Sequence, residues 1–354
     1  MPSAIEPTAN RRPDLSQRGS RPAGGARITA LDFTKGALVL FMVAYHWLNY
    51  FVGLDWPHYR YLRFLTPSFV FITGFIISNV YLTKYDPSDP RLARRLFVRG
   101  LKLVGVFIAL NAARIVLLPV VSNHGPAVVT LDPAALLATF VTGDFTSKVV
   151  AFYILVPIAY VLMLCAILAP WSKANRYIFH IACICLFAML ALLQIAGSKR
   201  PNLEIIAIGF LGILAGFIPL SSINRAIRHP YAMAVAYLLY TAAIAEWNVP
   251  YPLEVAGTCL TVTILYMVGT VAAGPKWIND EVILLGRYSL WGYISQIVIL
   301  QLLRAAFHHS NLGAVALPIS FAAAVTFTVL AVEIVHRGRA KAPGVDRLYR
   351  AVFA

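Results

Sequence analysis

Ten apolar runs dominate this sequence, and each approaches the roughly 20 residues that a helix needs to cross a bilayer. Their approximate bounds are 36–54, 61–83, 97–121, 148–170, 178–196, 204–220, 231–247, 254–273, 287–307 and 312–335. Charged residues make up only 13% of the chain, whereas a soluble domain carries about 25%. The sequence therefore predicts an all-α polytopic membrane protein, a bundle of about ten transmembrane helices.

Positive charges are distributed unevenly between the predicted loops. With the N-terminus in the cytoplasm, 23 of the 30 Lys and Arg residues fall on the cytoplasmic side, as the positive-inside rule requires. This distribution predicts that both termini are cytoplasmic. It divides the chain into a disordered basic tail at 1–27, a transmembrane domain at 28–336 and a basic tail at 337–354. The longest outer loop, about 122–147, is expected to contain a short helix on the membrane surface.

Composition argues against a nucleic-acid partner, a metal site and a disulfide framework. The net charge is +15, but the positive residues sit in loops between apolar runs and form no basic face. The cysteines, all inside apolar runs and without a Cys-x-x-Cys pair, are Cys165, Cys183, Cys185 and Cys259. Buried thiols of this kind behave as small apolar side chains. We therefore predict no metal and no permanently bound cofactor.

The first predicted helix, "LDFTKGALVLFMVAYHW" from Leu31 to Trp47, carries three ionisable residues. Lys35 and His46 are eleven residues apart, so they share one helix face within about 20° and are separated by about 16 Å. Asp32 lies within about 40° of that face but about 21 Å from His46, too far to contact it. Asp32 is therefore predicted to organise Lys35 or the arginines nearby.

His46 has a functional and a structural interpretation. An ionisable side chain inside a bilayer is costly, so a functional role is the first hypothesis. Histidine is also the side chain most readily used as a base near neutral pH. The alternative is a structural histidine that is hydrogen-bonded to a neighbouring helix. A cation at the rim with a base about 16 Å deeper fits an elongated anionic donor such as an acyl-coenzyme A, which has phosphates at one end and a thioester at the other.

Four stretches, in order along the chain, resemble acyltransferase family 3, a family of multi-spanning membrane acyltransferases. They are "LDFTKG" with the histidine at position 46, "PSFVFITGFIIS", "RLARRLFVRGLKL" and "LLGRYSLWGYISQIVIL". Two positions depart from the family pattern. Lys35 replaces an arginine, which removes a bidentate fork but keeps the charge, and Gln296 stands where many relatives have a histidine. The chain length and the apolar run from Phe152 to Pro170 are most similar to the branches that modify osmoregulated periplasmic glucans (OPG) and to heparan-glucosaminide acetyltransferase-like proteins.

The resemblance implies an acyl-CoA-dependent O-acyltransferase. It would move a short acyl group, acetyl or succinyl, from cytoplasmic acyl-coenzyme A to a hydroxyl of a periplasmic or cell-surface glucan or other polysaccharide. His46 is the predicted general base. The predicted donor-binding residues are Asp32, Lys35, Arg94, Arg95 and Arg99. The predicted acceptor-binding residues are Asn49, Tyr50, Arg63, Asn111, Arg114 and Gln296.

Other functions stay open at the level of sequence. Ten helices with polar residues at mid-membrane depth also fit a transporter or flippase of a glycan or lipid-linked molecule. A structural role in a polysaccharide-export complex is a third hypothesis. The expected location is the bacterial inner membrane, and the bilayer is a partner in every interpretation. A homo-oligomer is compatible with the sequence, which specifies neither the acyl group nor the residue that orients His46.

Overall fold

The computed structural model describes residues 28–53, 57–86, 89–121, 133–143, 151–247, 249–271, 274–308 and 315–353. Within these ranges the regular backbone is helical and contains no strand, which confirms the predicted all-α fold. The predicted tail at 1–27 lies outside the described residues, as does much of the outer loop at 122–147. The described part of that loop contains the expected short helix, Pro133–Val141.

The described chain forms fifteen α-helices. In chain order they are α1 (Thr29–Trp47), α2 (Leu65–Ile76), α3 (Leu82–Lys84), α4 (Pro90–Val121), α5 (Pro133–Val141), α6 (Leu155–Leu168), α7 (Ile178–Ile195), α8 (Pro201–Gly216), α9 (Leu220–Ala226), α10 (Pro230–Trp247), α11 (Tyr251–Val271), α12 (Lys276–Arg287), α13 (Ser289–His308), α14 (Ala316–Lys341) and α15 (Pro343–Phe353). Turns of π-helix continue α1 at Leu48–Val52 and α2 at Ile77–Tyr81. Each of the ten predicted apolar runs coincides with a helix.

Seven of the described helical segments are long and apolar enough to cross a membrane, and α8 with α9 makes an eighth if this pair, bent by 100°, is one span. The chain is therefore an integral membrane protein. Helices α1 and α10 coincide with the two remaining predicted spans but are less apolar, in α1 because Asp32, Lys35 and His46 interrupt the run. The predicted count of ten is thus not confirmed, and the cytoplasmic position of both termini stays a prediction.

Helix α1 is central in the bundle and contacts α2, α11, α12, α13 and α14. Its closest approach is to α12. A Cβ atom added to Gly36 would collide with the carbonyl oxygen of Val282, and one added to Gly286 would collide with the carbonyl oxygen of Asp32. Small residues allow helix backbones to approach in this way in membrane bundles. The contact holds the Asp32 end of α1 against α12.

Helices α1 and α13 are parallel. A Cβ atom added to Gly292 on α13 would lie 3.2 Å from Val39 Cγ1 on α1. Further along both helices, Gln301 Nε2 donates a hydrogen bond to the Tyr50 hydroxyl at 3.1 Å. The two contacts follow the same order in both helices, so both helices begin at the same end of the bundle. His46 lies between these contacts on α1.

The basic segment predicted at 337–354 is helical in its described part, which includes the end of α14 and all of α15. The ring of Phe353 packs edge-on against that of Trp291, with centroids 5.9 Å apart. Lys102 Nζ on α4 donates a hydrogen bond to the carbonyl oxygen of Arg350 at 3.4 Å. Helix α15 therefore docks across the ends of α4 and α13.

Candidate active site

A cavity of about 160 Å³ lies between α1, α2, α4, α6 and α13. Most of its wall is apolar. The polar and charged residues that line it are Lys35, Thr73, Tyr81, Arg99, Ser289 and Tyr293. Lys35, Arg99 and Ser289 lie near the beginnings of their helices, at the end of the bundle predicted to be cytoplasmic. We call this end the mouth of the cavity.

Lys35 and Arg99 supply the positive charge at the mouth. Lys35 Nζ forms an ion pair with Asp32 Oδ1 at 2.7 Å, one of the two pairings expected of Asp32. Arg99 donates a hydrogen bond to the hydroxyl of Tyr81, which lies in the π-helical turn after α2. Each cation is therefore held by a neighbouring side chain. A fixed pair of cations is suited to binding phosphate groups.

The other two predicted donor-binding arginines occupy different positions. Arg95 lies one turn before Arg99 on the same face of α4, where it contacts the hydroxyl and the ring of Tyr85. Arg94 is exposed and lies about 100° around the helix from Arg95. Neither is among the described residues that line the cavity. The structure thus gathers Lys35 and Arg99, with Arg95 one turn away, and leaves Arg94 apart.

Tyr293 lines the cavity and packs near His46, a contact that the sequence did not predict. The centroids of the two rings are 6.3 Å apart. Tyr293 also packs edge-on against Phe152, with centroids 6.0 Å apart. His46 itself is not among the described residues of the cavity wall, so Tyr293 separates it from the cavity. Tyr293 lies within the family-like stretch of α13, but only packing between helices reveals its neighbour.

Two buried polar groups occupy the same layer of the interface between α1 and α13. His46 Nε2 is buried and has no hydrogen-bond partner within the described ranges, and the same holds for both polar atoms of the Gln296 side chain. Both residues lie between the Val39–Gly292 and Tyr50–Gln301 contacts. A buried polar group without a partner costs about 1–3 kcal/mol. Two of them in one layer mark a place where a polar ligand would gain hydrogen bonds.

Asn111, a predicted acceptor-binding residue, is hydrogen-bonded to the protein backbone, and its role towards the acceptor stays a prediction. Its Nδ2 donates to the carbonyl oxygens of Phe107 at 2.9 Å and Ala151 at 3.0 Å. Its Oδ1 accepts a hydrogen bond from the Ala151 amide at 2.9 Å. The side chain is therefore occupied with the backbone just before Phe152. Phe152 has φ +61°, a left-handed conformation that is costly for a residue other than glycine and that occurs preferentially at functional sites. These contacts favour a positioning role for Asn111.

The remaining predicted acceptor residues do not form one cluster. Tyr50 accepts a hydrogen bond from Gln301 and lies 5.9 Å below the guanidinium of Arg304. Arg63 Nη1 instead donates to the carbonyl oxygen of Val249, between α10 and α11, at 3.4 Å. Asn49 lies beside Tyr50 in the π-helical turn, and Arg114 is half-buried on α4. The structure therefore groups Asn49 and Tyr50 with α13 and separates them from Arg63.

The two π-helical turns coincide with the two ends of the candidate site. Leu48–Val52 begins two residues after His46. Ile77–Tyr81 contributes Ile77 and Tyr81 to the cavity wall at its mouth. Turns of π-helix are rare and occur frequently at functional sites. Their backbone hydrogen bonding could not be read from the apolar pattern of the sequence.

The arrangement combines a buried imidazole nitrogen, a mostly apolar cavity and a mouth with two cations held by neighbouring side chains. Within the part of the chain that the structure describes, no three His, Cys, Asp or Glu side chains are placed to share a metal ion. Fold and site together define a multi-spanning helical membrane protein with an internal, mostly apolar cavity.

The family model described as an acyltransferase domain matches residues 28–336. The chain belongs to acyltransferase family 3 and is a membrane acyltransferase. No curated protein matches the chain. Membership of this family favours acyl transfer over the transport alternative. The placement in the branches that modify osmoregulated glucans or heparan glucosaminides stays a prediction.

Proposed function

We propose that this protein uses a short-chain acyl-coenzyme A as donor and transfers its acyl group to a hydroxyl of a glycan. The proposed location is the bacterial inner membrane, with the donor entering from the cytoplasm. Acetyl and succinyl groups are the acyl chains proposed, and a periplasmic or cell-surface glucan is the acceptor class. These assignments rest on the resemblance to the family and on the geometry of the cavity.

One observation carries the donor assignment: a single cavity connects the Lys35–Arg99 pair to the ring of Tyr293, against which His46 packs. The cavity volume of about 160 Å³ is below the roughly 300–1,000 Å³ of sites that enclose a whole small molecule. It suits the thin arm of the donor, with the phosphates at the mouth. The nucleotide end would lie outside, towards Arg95.

In the proposed reaction, His46 Nε2 accepts the proton of the acceptor hydroxyl as its oxygen attacks the thioester carbonyl carbon. The tetrahedral intermediate collapses with cleavage of the carbon–sulfur bond. The proton then passes from the imidazolium to the coenzyme A thiolate, so that the ester and the free thiol are the products. General-base assistance of this kind contributes about 10²–10⁴-fold to a rate. Because Tyr293 stands between the cavity and His46, its ring must move aside for the thioester to reach the base.

The acceptor is proposed to enter from the opposite end of α1. The Tyr50 hydroxyl, Gln301 and Arg304 lie together there, four residues along α1 from His46. Hydroxyl, amide and guanidinium groups are suitable partners for sugar hydroxyls. Gln296 lies deeper, with an unsatisfied amide in the layer of His46. The acceptor hydroxyl would satisfy both of these buried groups as it reaches the base.

The proposal is tested with purified protein in lipid nanodiscs, isotopically labelled acetyl- or succinyl-coenzyme A and a soluble glucan. Acylated glucan and released thiol are measured together, and they should appear in equal amounts. Thiol release without acylated glucan would show that the donor is right and the glucan wrong. If no short-chain thioester is consumed in the presence of any glycan tested, acyl-coenzyme A is not the donor.

A further inference from the structure

A second cleft, of about 400 Å³, lies between α12, α14 and α15, outside the candidate active site. It is lined by Arg287, Tyr288, His336, Arg339, Ala340, Asp346 and Arg350. The cleft is adjacent to the mouth of the cavity, because Tyr288 lines one and Ser289 lines the other. None of its residues was assigned a role by the sequence analysis.

Arg339 is the fixed centre of this cleft. Its guanidinium lies between two aromatic rings, 5.4 Å from the centroid of Tyr288 and 4.2 Å from that of Tyr349. Its Nη2 is 2.7 Å from Asp346 Oδ1, and its Nη1 donates to the Tyr288 hydroxyl at 3.3 Å. The same hydroxyl is 3.1 Å from His336 Nδ1. An arginine held by three residues, Tyr288, Tyr349 and Asp346, is ordered before any ligand arrives.

The charge of the cleft is positive even though Asp346 is part of it. Hydrogen bonds from Arg350 and Arg339 lower the pKa of the Asp346 carboxyl below its usual range, so that it is ionised at neutral pH. Three guanidinium groups therefore face one carboxylate. Arg350 contacts Asp346 through a single Nη2 and Arg287 is exposed, which leaves N–H groups to donate into the cleft. Guanidinium groups bind phosphate through paired hydrogen bonds.

The surroundings of the cleft indicate that the phosphate belongs to a lipid. Arg339 and Ala340 lie in the last turn of α14, a helix long and apolar enough to cross a membrane, so the cleft lies where this span reaches the lipid headgroups. Helix α15 is amphipathic: Leu348, which is 67% exposed, lies about half a turn around the helix from Asp346 and Arg350. Amphipathic helices with this composition lie at the boundary between headgroups and acyl chains.

We propose that the Arg287–Arg339–Arg350 cleft binds the phosphate of an anionic membrane phospholipid and thereby holds α15 against the ends of α13 and α14. Basic clusters at the cytoplasmic face attract anionic lipids by about 1 kcal/mol per charge. The arrangement here adds directed hydrogen bonds to that general attraction. The proposed ligand is thus defined by two features, a phosphate group and acyl chains.

The test uses full-length protein in nanodiscs of phosphatidylcholine, with and without phosphatidylglycerol. After extraction, the phospholipid that remains bound is counted by native mass spectrometry. The wild type should retain phosphatidylglycerol in preference to phosphatidylcholine. Arg287→Gln combined with Arg350→Gln should weaken this retention by roughly a hundredfold or more, the loss expected for two charge-assisted hydrogen bonds. The matched control, Arg91→Gln with Arg228→Gln, removes two exposed charges elsewhere and should change it by less than about twofold.

Three results would overturn the proposal. One is equal retention of phosphatidylglycerol by the cleft variant and the wild type. Another is equal retention of the neutral lipid. The third comes from an arm with inorganic phosphate or adenosine 3′,5′-bisphosphate in lipid-free detergent: if either displaces the bound lipid at micromolar concentration, the natural ligand is a soluble phosphate. Arg350→Lys keeps the positive charge but removes the paired N–H donors of the guanidinium. An intermediate loss of phosphatidylglycerol retention in this variant would separate the contribution of hydrogen bonding from that of charge in a protein that still folds.

Discussion

The ring of Tyr293 stands between His46 and the cavity that begins at Lys35. Its centroid is 6.3 Å from that of His46, and its other side forms the inner wall of the cavity. The proposed base and the proposed donor path therefore meet at one tyrosine. Replacing Tyr293 with Phe keeps the ring, whereas replacement with Ala removes it. If the ring is a barrier that must move, the Ala variant should hydrolyse the donor in the absence of glycan faster than the Phe variant, as measured by thiol release.

We expect His46→Ala to lower the rate of acyl transfer by at least about 100-fold, because the general base is lost. The measurement is the initial rate of glucan acylation at saturating donor. His180→Ala is the matched control. His180 lies in α7, stacks on the ring of Phe217 and is not among the described residues that line the cavity. The His180→Ala variant should retain most of the activity. Full activity in His46→Ala, with unchanged thermal unfolding, would return His46 to a structural role.

We expect Lys35→Ala and Arg99→Ala to raise the KM for acyl-coenzyme A by roughly tenfold to a hundredfold each, because each removes a charged hydrogen bond to phosphate. The kcat should change less, since neither side chain lies at the reacting carbonyl. Arg94→Ala is the control in the same helix, and its KM should stay within about twofold of the wild type. An equal effect of all three substitutions would mean that general surface charge, and not the mouth of the cavity, attracts the donor.

We expect Asn111→Ala to destabilise the protein by about 1–3 kcal/mol, because the partly buried amide and carbonyl of Ala151 lose their partners. The segment that holds Phe152 against Tyr293 would then loosen, so kcat should fall while the donor KM changes little. Asn111→Asp keeps the acceptor of the Ala151 N–H and should recover part of the kcat. An acceptor-binding role predicts instead a large rise in the KM for the glucan without loss of stability.

We expect Gly36→Ala and Gly286→Ala to destabilise the protein by about 1–3 kcal/mol or more, because the added Cβ collides with backbone across the α1–α12 contact. Gly105→Ala in α4 is the control, since no atom lies within 4 Å of its added Cβ. It should leave the protein unchanged or slightly more stable, in keeping with the higher helix propensity of alanine. The three variants and the wild type are compared by thermal unfolding in the same lipid composition.

Lowering the pH should weaken the docking of α15 against the ends of the neighbouring helices. The pKa of Asp346 is lowered in the folded protein by hydrogen bonds from Arg350 and Arg339. Its contribution to docking is therefore present above the unfolded value of about 4 and is lost as the pH falls from there through the folded pKa. Fluorescence of Trp291, which contacts Phe353, reports the docking. Asp346→Asn should show the undocked signal already at neutral pH, with no further change in acid.

Features that depend on spacing along a single helix could be predicted from the sequence. The all-α membrane fold, the coincidence of ten apolar runs with helices and the Asp32–Lys35 ion pair follow from composition and from the helical repeat. Arg99 and Lys35 could be chosen as partners at the mouth because both lie at the same predicted depth. These inferences need only the geometry of one helix and the direction in which the chain enters the membrane.

Features that depend on contact between helices could not be predicted. The pairing of Tyr293 with His46 requires the rotation of α13 against α1, and the Asn111–Ala151 clamp joins segments 40 residues apart. The strained Phe152 carries no signal in its residue type. The distinction between Arg94 and Arg95 depends on the rotation of α4, which a dense run of arginines does not specify. The sequence of the C-terminal segment indicates only a concentration of positive charge, whereas the structure arranges the basic residues around Asp346 to form a cleft.

The backbone contact at Gly36 and Gly286 divides the molecule into a part that stays together and parts that can move. No flexible side chain lies between α1 and α12 at these positions, so neither helix can slide or turn without a steric clash. Lys35 and His46 are carried on α1, and the spacing between them is set by the helix itself. Any opening that admits or releases a substrate must therefore come from the other walls, α2, α4, α6 and α13. In the proposed mechanism, the fixed distance from Lys35 to His46 therefore sets the length of the donor that can reach from one to the other.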